Sequence, residues 1–188
     1  MILISYLFYM IILFFLVIIF IIIYPKNKNK FKAIRGVCVL KKDKINGIIF
    51  LEELSFDKTR IYGKVIGLKP NSEHAIHIHE SGNLTDGCKS ACAHYNPFNK
   101  KHGGPRDKER HVGDLGNLIT NSKGDSYFEL VDQLVKLRGT YSVIGRSMII
   151  HEDPDDLGRG GHSDSHTTGH AGTRLVCGVI GYADGKAC

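Results

Sequence analysis

From Phe31 onward, apolar and polar residues alternate at a period of two far more than at the helical period. This alternation limits the fold more than any other feature, because successive strand side chains point to opposite faces of a sheet. Eight segments carry it: 33–40, 45–54, 60–68, 74–80, 115–120, 126–132, 145–152 and 174–182. They are short and rich in β-branched residues, and turns such as NSKGDS separate them. The pattern predicts an all-β sandwich or barrel of eight strands. Beyond the N-terminal segment there is no convincing amphipathic helix and no internal repeat.

Residues 1–24 carry no charged side chain, and only Ser5 is a small polar residue. That length suits a transmembrane helix, which needs about 20 apolar residues. No basic start or small-residue cleavage site marks a signal peptide, so an uncleaved membrane anchor is expected. A cleaved signal or another buried helix are the alternatives. A basic linker, 25–32, follows with Lys26, Lys28, Lys30 and Lys32. By the positive-inside rule it places the remaining domain, 33–188, on the cytoplasmic side of the membrane. Cleavage would instead make the domain secreted or luminal. The formal charge of +6 belongs wholly to the chain beyond the apolar segment. Its lysines and arginines are scattered and Trp is absent, which disfavours nucleic acid and favours a small anion or an acidic membrane surface. The five cysteines, Cys38, Cys88, Cys92, Cys177 and Cys188, form no CxxC pair. They suit disulfides or free thiols better than a thiolate metal site.

Two connections are too long for plain turns: Ser81 to about Gly113, and Glu152 to about Thr173. The ten histidines lie in or beside these loops or in the segment HAIHIHE. In that strand, His77 and His79 project to one face and can offer two imidazoles to one ion. His74 projects to the opposite face, as a packed structural residue would. His94, His102, His111 and Asp114 follow in the first loop, and three imidazoles with one carboxylate make a tetrahedral set suited to zinc. His151 ends the strand SMIIH and closes an all-imidazole set with His77, His79 and His94, a donor set suited to copper.

HAIHIHE, HYNP, KHGGPRDKERHVGDLGN, IGRSMIIHEDPDDLGRGG and GHAGTRLVCGVIG together resemble the copper/zinc superoxide dismutase family. The resemblance runs from about Ala33 to Tyr182 in the same order and with closely matching spacing. It implies an eight-stranded Greek-key β-sandwich or barrel with two long functional loops. It implies copper on His77, His79, His94 and His151, and zinc on His94, His102, His111 and Asp114, with His94 bridging the two. Asp155 resembles the aspartate that links a copper-ligand histidine to a zinc-ligand histidine, here His77 and His102. Cys88 and Cys177 match the family's disulfide, and Arg174 matches the arginine that orients the anion beside copper. The implied reaction turns two superoxide anions into dioxygen and hydrogen peroxide as copper is alternately reduced and oxidised, with zinc holding and tuning His94. A homodimer is also implied, although Ser81 and Tyr182 stand where relatives often differ. Ser163 and Thr167 likewise depart from the usual second loop, and His162, His166 and His170 are extra loop histidines. A copper-delivery module of the same fold is disfavoured, since all four copper ligands and Arg174 are in place and no MxCxxC domain is seen.

Overall fold

Strand alternation becomes core and surface in a computed structural model that describes residues 2–23 and 31–183. Along β2 (Ile45–Ser55), Ile49 and Leu51 are fully buried while their neighbours Ile48 and Phe50 face outward. The other strands are β1 (Arg35–Lys42), β3 (Lys58–Ile66), β4 (Glu73–His79), β5 (Thr85–Cys88), β6 (Asp114–Ile119), β7 (Ser126–Asp132), β8 (Ser147–His151) and β9 (Arg174–Tyr182). Eight of them form one antiparallel sheet in the order β6-β4-β8-β9-β1-β2-β3-β7. The end strands β6 and β7 come close together, which makes the sheet a nearly closed barrel. Its interior is filled by Leu40, Ile49, Leu51, Ile61, Val65, Ile76, Ile78, Met148, Ile150, Val176 and Ile180. Burying each such side chain contributes about 1.5–3 kcal/mol.

β4 and β8 differ from β2 in being buried on both faces. Ile76, Ile78, Met148 and Ile150 face the core, and the two long loops cover the opposite face. A strand face that carries histidines is thereby removed from water, and that places the site.

The all-β expectation holds, but the transmembrane helix expected ahead of it does not. An N-terminal helix, α1 (Ile2–Ile23), is present, and its described side chains are Tyr6 and those of 9–18. Among the described residues, no helix is long and apolar enough to cross a membrane. Lys26, Lys28, Lys30 and Cys188 lie outside the described residues. The chain divides into two units, Met1–Lys32 and Ala33–Cys188.

Two small elements escape the alternation pattern. β5 continues into a single 3-10 turn, Lys89–Ala91, and the second loop contains a one-turn helix, α2 (Ser165–Thr168). Both are too short to show a period. Cys88, at the end of β5, is bonded to Cys177 in β9 across a sequence separation of 89. In the chain-entropy account a loop of that size contributes about 4–5 kcal/mol. Cys177→Ser is expected to lower stability by up to that amount, read from the denaturant midpoint of oxidised against mutant protein.

Candidate metal centre

The register of β4 sets the first pair of ligands. Ile76 and Ile78 are anchored in the core, so His77 and His79 must face the covering loops. β8 runs antiparallel beside β4 and ends on His151. The first loop returns through an isolated bridge that pairs His79 with His94. Gly113 makes that return possible, because a Cβ there would overlap the Ile78 carbonyl. The ligand atoms of His77, His79, His94 and His151 lie within 4.8 Å of one another, and all four residues are buried.

Their tautomers follow from their outer partners. His79 Nδ1–H donates to the Cys92 carbonyl at 2.9 Å, and His151 Nδ1–H donates to the Gly172 carbonyl at 3.4 Å. Their Nε2 atoms therefore face each other as lone pairs, 3.3 Å apart. His77 Nε2–H donates to Asp155 Oδ2 at 2.8 Å, which leaves Nδ1 buried with no hydrogen-bond partner. Facing lone pairs and an unpartnered buried acceptor are costly unless a cation joins them. Burial, reinforced by the other rings, lowers the pKa of His77 and His79, and brings His151 down to about 4. These imidazoles are thus neutral donors at neutral pH, as metal coordination requires.

The second cluster is built round Asp114, the first residue of β6. Its Oδ1 lies 3.0 Å from His94 Nδ1, 2.9 Å from His102 Nδ1 and 3.1 Å from His111 Nδ1. Its Oδ2 accepts from the backbone N–H of His111 at 2.8 Å and of Gly103 at 3.1 Å. At His102 the close approach is not a hydrogen bond: Nδ1 is a second buried, unpartnered atom. The tightest group here is His77, His94, His102 and Asp114, with His111 joined through the carboxylate. Burial opposes ionisation of both groups, yet the Asp114 and Asp155 carboxylates push His102 up to about 9. Its three imidazoles hold Asp114 well below the usual carboxylate range. A pocket that so favours positive charge, with nitrogen and oxygen donors, fits a divalent cation.

Asp155 ties the clusters together. Its Oδ2 takes the His77 ring and its Oδ1 takes the His102 ring at 2.7 Å. Its pKa is held low by these bonds against the effect of burial. Three contributors were invisible in the sequence. Asn117 clamps the Asp155 backbone with two bonds, 2.7 Å and 3.0 Å long. Buried Arg110 donates to the carbonyls of His111 and Asp114 and to Asp132 Oδ2, pinning the first loop to β7. Gly169, with φ of 66°, lets the second loop touch Asp155 and His102, which a Cβ would overlap. Gly169→Ala is expected to weaken metal retention measurably in a chelator competition while leaving the barrel's far-UV signature intact. His162, His166 and His170 lie exposed on the second loop and join neither cluster.

The family model of copper/zinc superoxide dismutase (SODC) matches residues 45–180. The chain belongs to the copper/zinc superoxide dismutase family. A superoxide dismutase of Paramecium bursaria Chlorella virus 1 is 48% identical over 160 residues, covering 85% of this chain and 84% of its own. That of Yarrowia lipolytica is 49% identical over 150 residues, covering 79% and 97%. A crystal structure of the clock protein EA4 superposes with a TM-score of 0.77 at 42% identity, over 79% of this chain and 94% of that one. The chain is accordingly an oxidoreductase that converts superoxide to dioxygen and hydrogen peroxide, with copper and zinc as cofactors.

Proposed function

We propose that His77, His79, His94 and His151 hold copper, that His94, His102, His111 and Asp114 hold zinc, and that Arg174 docks superoxide. The observation that carries the assignment is the set of inward lone pairs, each fixed because the far nitrogen of its ring is bonded to a carbonyl or carboxylate. Copper held there would supply the one-electron oxidation and reduction of superoxide, and zinc, which has no redox chemistry, would add positive charge. His94 presents Nδ1 to Asp114 and Nε2 to the copper pocket. The Nε2 atom is therefore the position from which a proton can be handed to the departing peroxide.

Arg174 pairs in register with His151 across β8 and β9, which sets a cation beside the copper pocket. Its Nη1 donates to the Cys88 carbonyl and its Nη2 to the Cys92 carbonyl, both at 2.6 Å. A fork held this firmly can orient a small anion without first losing side-chain freedom. Superoxide removal by the full-length chain, loaded with both metals, is the test; uncatalysed rates in metal-replete protein would falsify the reading. Arg174→Ala is expected to keep both metals, slow turnover by about tenfold or more and flatten the ionic-strength dependence. Loss of metal instead of steering would remove Arg174 from this role.

We further propose that the enzyme works as a homodimer through the outer side of β9 and the loop segments beside it. Val179, on the face of β9 opposite core Ile180, presents 41% of its surface, and Tyr182, at the end of the strand, presents 61%. Gly82 and Gly145 pack back to back beside them, since a Cβ on Gly82 would overlap the Gly145 carbonyl. Light scattering that returns a monomer mass would overturn this assembly.

A further inference from the structure

Cys92 is an exposed free thiol. Its backbone has φ 65° and ψ −154°, a region that glycine occupies most readily. Between it and Cys88 stands only the single turn Lys89–Ala91. Its Sγ lies 3.7 Å from the Ser90 carbonyl, turned back over that turn. One guanidinium binds both ends of the turn: Arg174 takes the carbonyls of Cys88 and Cys92 at 2.6 Å each, and that of Lys89 at 3.3 Å. The Cys92 carbonyl also receives the ring of His79. A free thiol, a disulfide and the anion-docking arginine thus share one turn. The other described free thiol, Cys38, is buried in the barrel, where burial pushes its pKa up to about 12.

We propose that Cys92 forms a thiol–disulfide exchange site with Cys88 and Cys177, in which its sulfur displaces Cys177 from Cys88 and unseats Arg174. In the step, Cys92 Sγ attacks Cys88 Sγ, the Cys88–Cys92 bond forms and the Cys88–Cys177 bond breaks. The electron pair leaves on Cys177 Sγ. The proton lost by Cys92 is matched by the one Cys177 takes up, so no oxidant or reductant is consumed. The short loop favours attack, because a thiol joined by a few residues acts at an effective concentration in the millimolar range. The new bond cinches the turn and cuts it loose from β9, and the three carbonyls that seat Arg174, all in that turn, move with it. The effect on activity rests on the docking role of Arg174; the exchange itself does not.

The full-length holoenzyme is incubated in a single reducing glutathione buffer and sampled over time. It is then quenched in acid, alkylated and digested without reduction for peptide mapping. The expected result is a Cys88–Cys92 linked peptide with Cys177 alkylated, appearing ahead of full reduction while activity falls in step. Cys92→Gly, which suits the local backbone, is expected to show no such species and to lose the Cys88–Cys177 bond several-fold more slowly. It should also hold its own starting activity at times when the parent chain has lost most of its own. A parent chain that passes straight to separate thiols, or a Cys92→Gly chain that reduces at the same rate, overturns the proposal. Exchange without loss of activity overturns the link to Arg174. A chain that exchanges normally but removes no superoxide before treatment speaks against the metal assignment, not against the exchange.

Discussion

His151→Ala is expected to abolish superoxide turnover while the protein keeps its zinc. His151 stands at the end of β8 with its Nε2 facing His79 Nε2, and its ring makes no bond to Asp114. Its removal takes one of four imidazoles from the set proposed for copper and none from the set proposed for zinc. Losing a mere outer partner of a ligand typically costs about 10–100-fold in affinity or activity, and loss of a ligand itself should exceed that. The barrel is not at stake, because Met148 and Ile150, the core-facing neighbours on β8, are untouched. Metal analysis after dialysis should return zinc near the parent stoichiometry and copper well below it. Full activity in the variant, or loss of both metals together, would remove His151 from the copper set.

Asp155→Ala is expected to weaken both metals at once, by about 10–100-fold each. One carboxylate orients a ring in each cluster, His77 through Oδ2 and His102 through Oδ1, and Asn117 holds the backbone that carries it. Without it, the inward Nδ1 atoms of His77 and His102 are free to rotate out of line. Asp155→Asn separates orientation from bulk. An amide has one acceptor oxygen, so it can accept from only one of the two ring N–H groups, and its NH₂ faces the other. One metal should then recover and the other should not. Competition titrations with chelators of graded strength measure both affinities, and a change confined to one metal in Asp155→Ala would sink the shared-strap reading.

Much of this was legible in the chain before any coordinates. The alternation in β2, β4, β8 and β9 marked which residues face the core, and hence that His77 and His79 share the opposite face. The eight long strands were found with ends shifted by a few residues. β5 and α2 were not, because a segment of four residues has no measurable period. The apolar N-terminus misled in the other direction. Composition alone suggested a membrane span, and the described part of α1 does not supply one.

Readable from the chain alone were the donor types: which side chains can bind a metal, and that they divide into one all-imidazole group and one group with a carboxylate. That information is chemical and local, so it survives in one dimension. Which nitrogen of each ring points inward is set by the fold instead, because the far nitrogen's partner comes from elsewhere in the chain. The Cys92 carbonyl does this for His79, the Gly172 carbonyl for His151, and Asp155 for both His77 and His102. Arg110 and Asn117 remained hidden for the same reason. Buried arginine and asparagine look like surface residues until the partners that satisfy them are seen. Cys92 is the clearest instance. In sequence it is a cysteine with no assigned partner, and only the fold hangs its carbonyl and that of disulfide-bonded Cys88 on one guanidinium, that of Arg174.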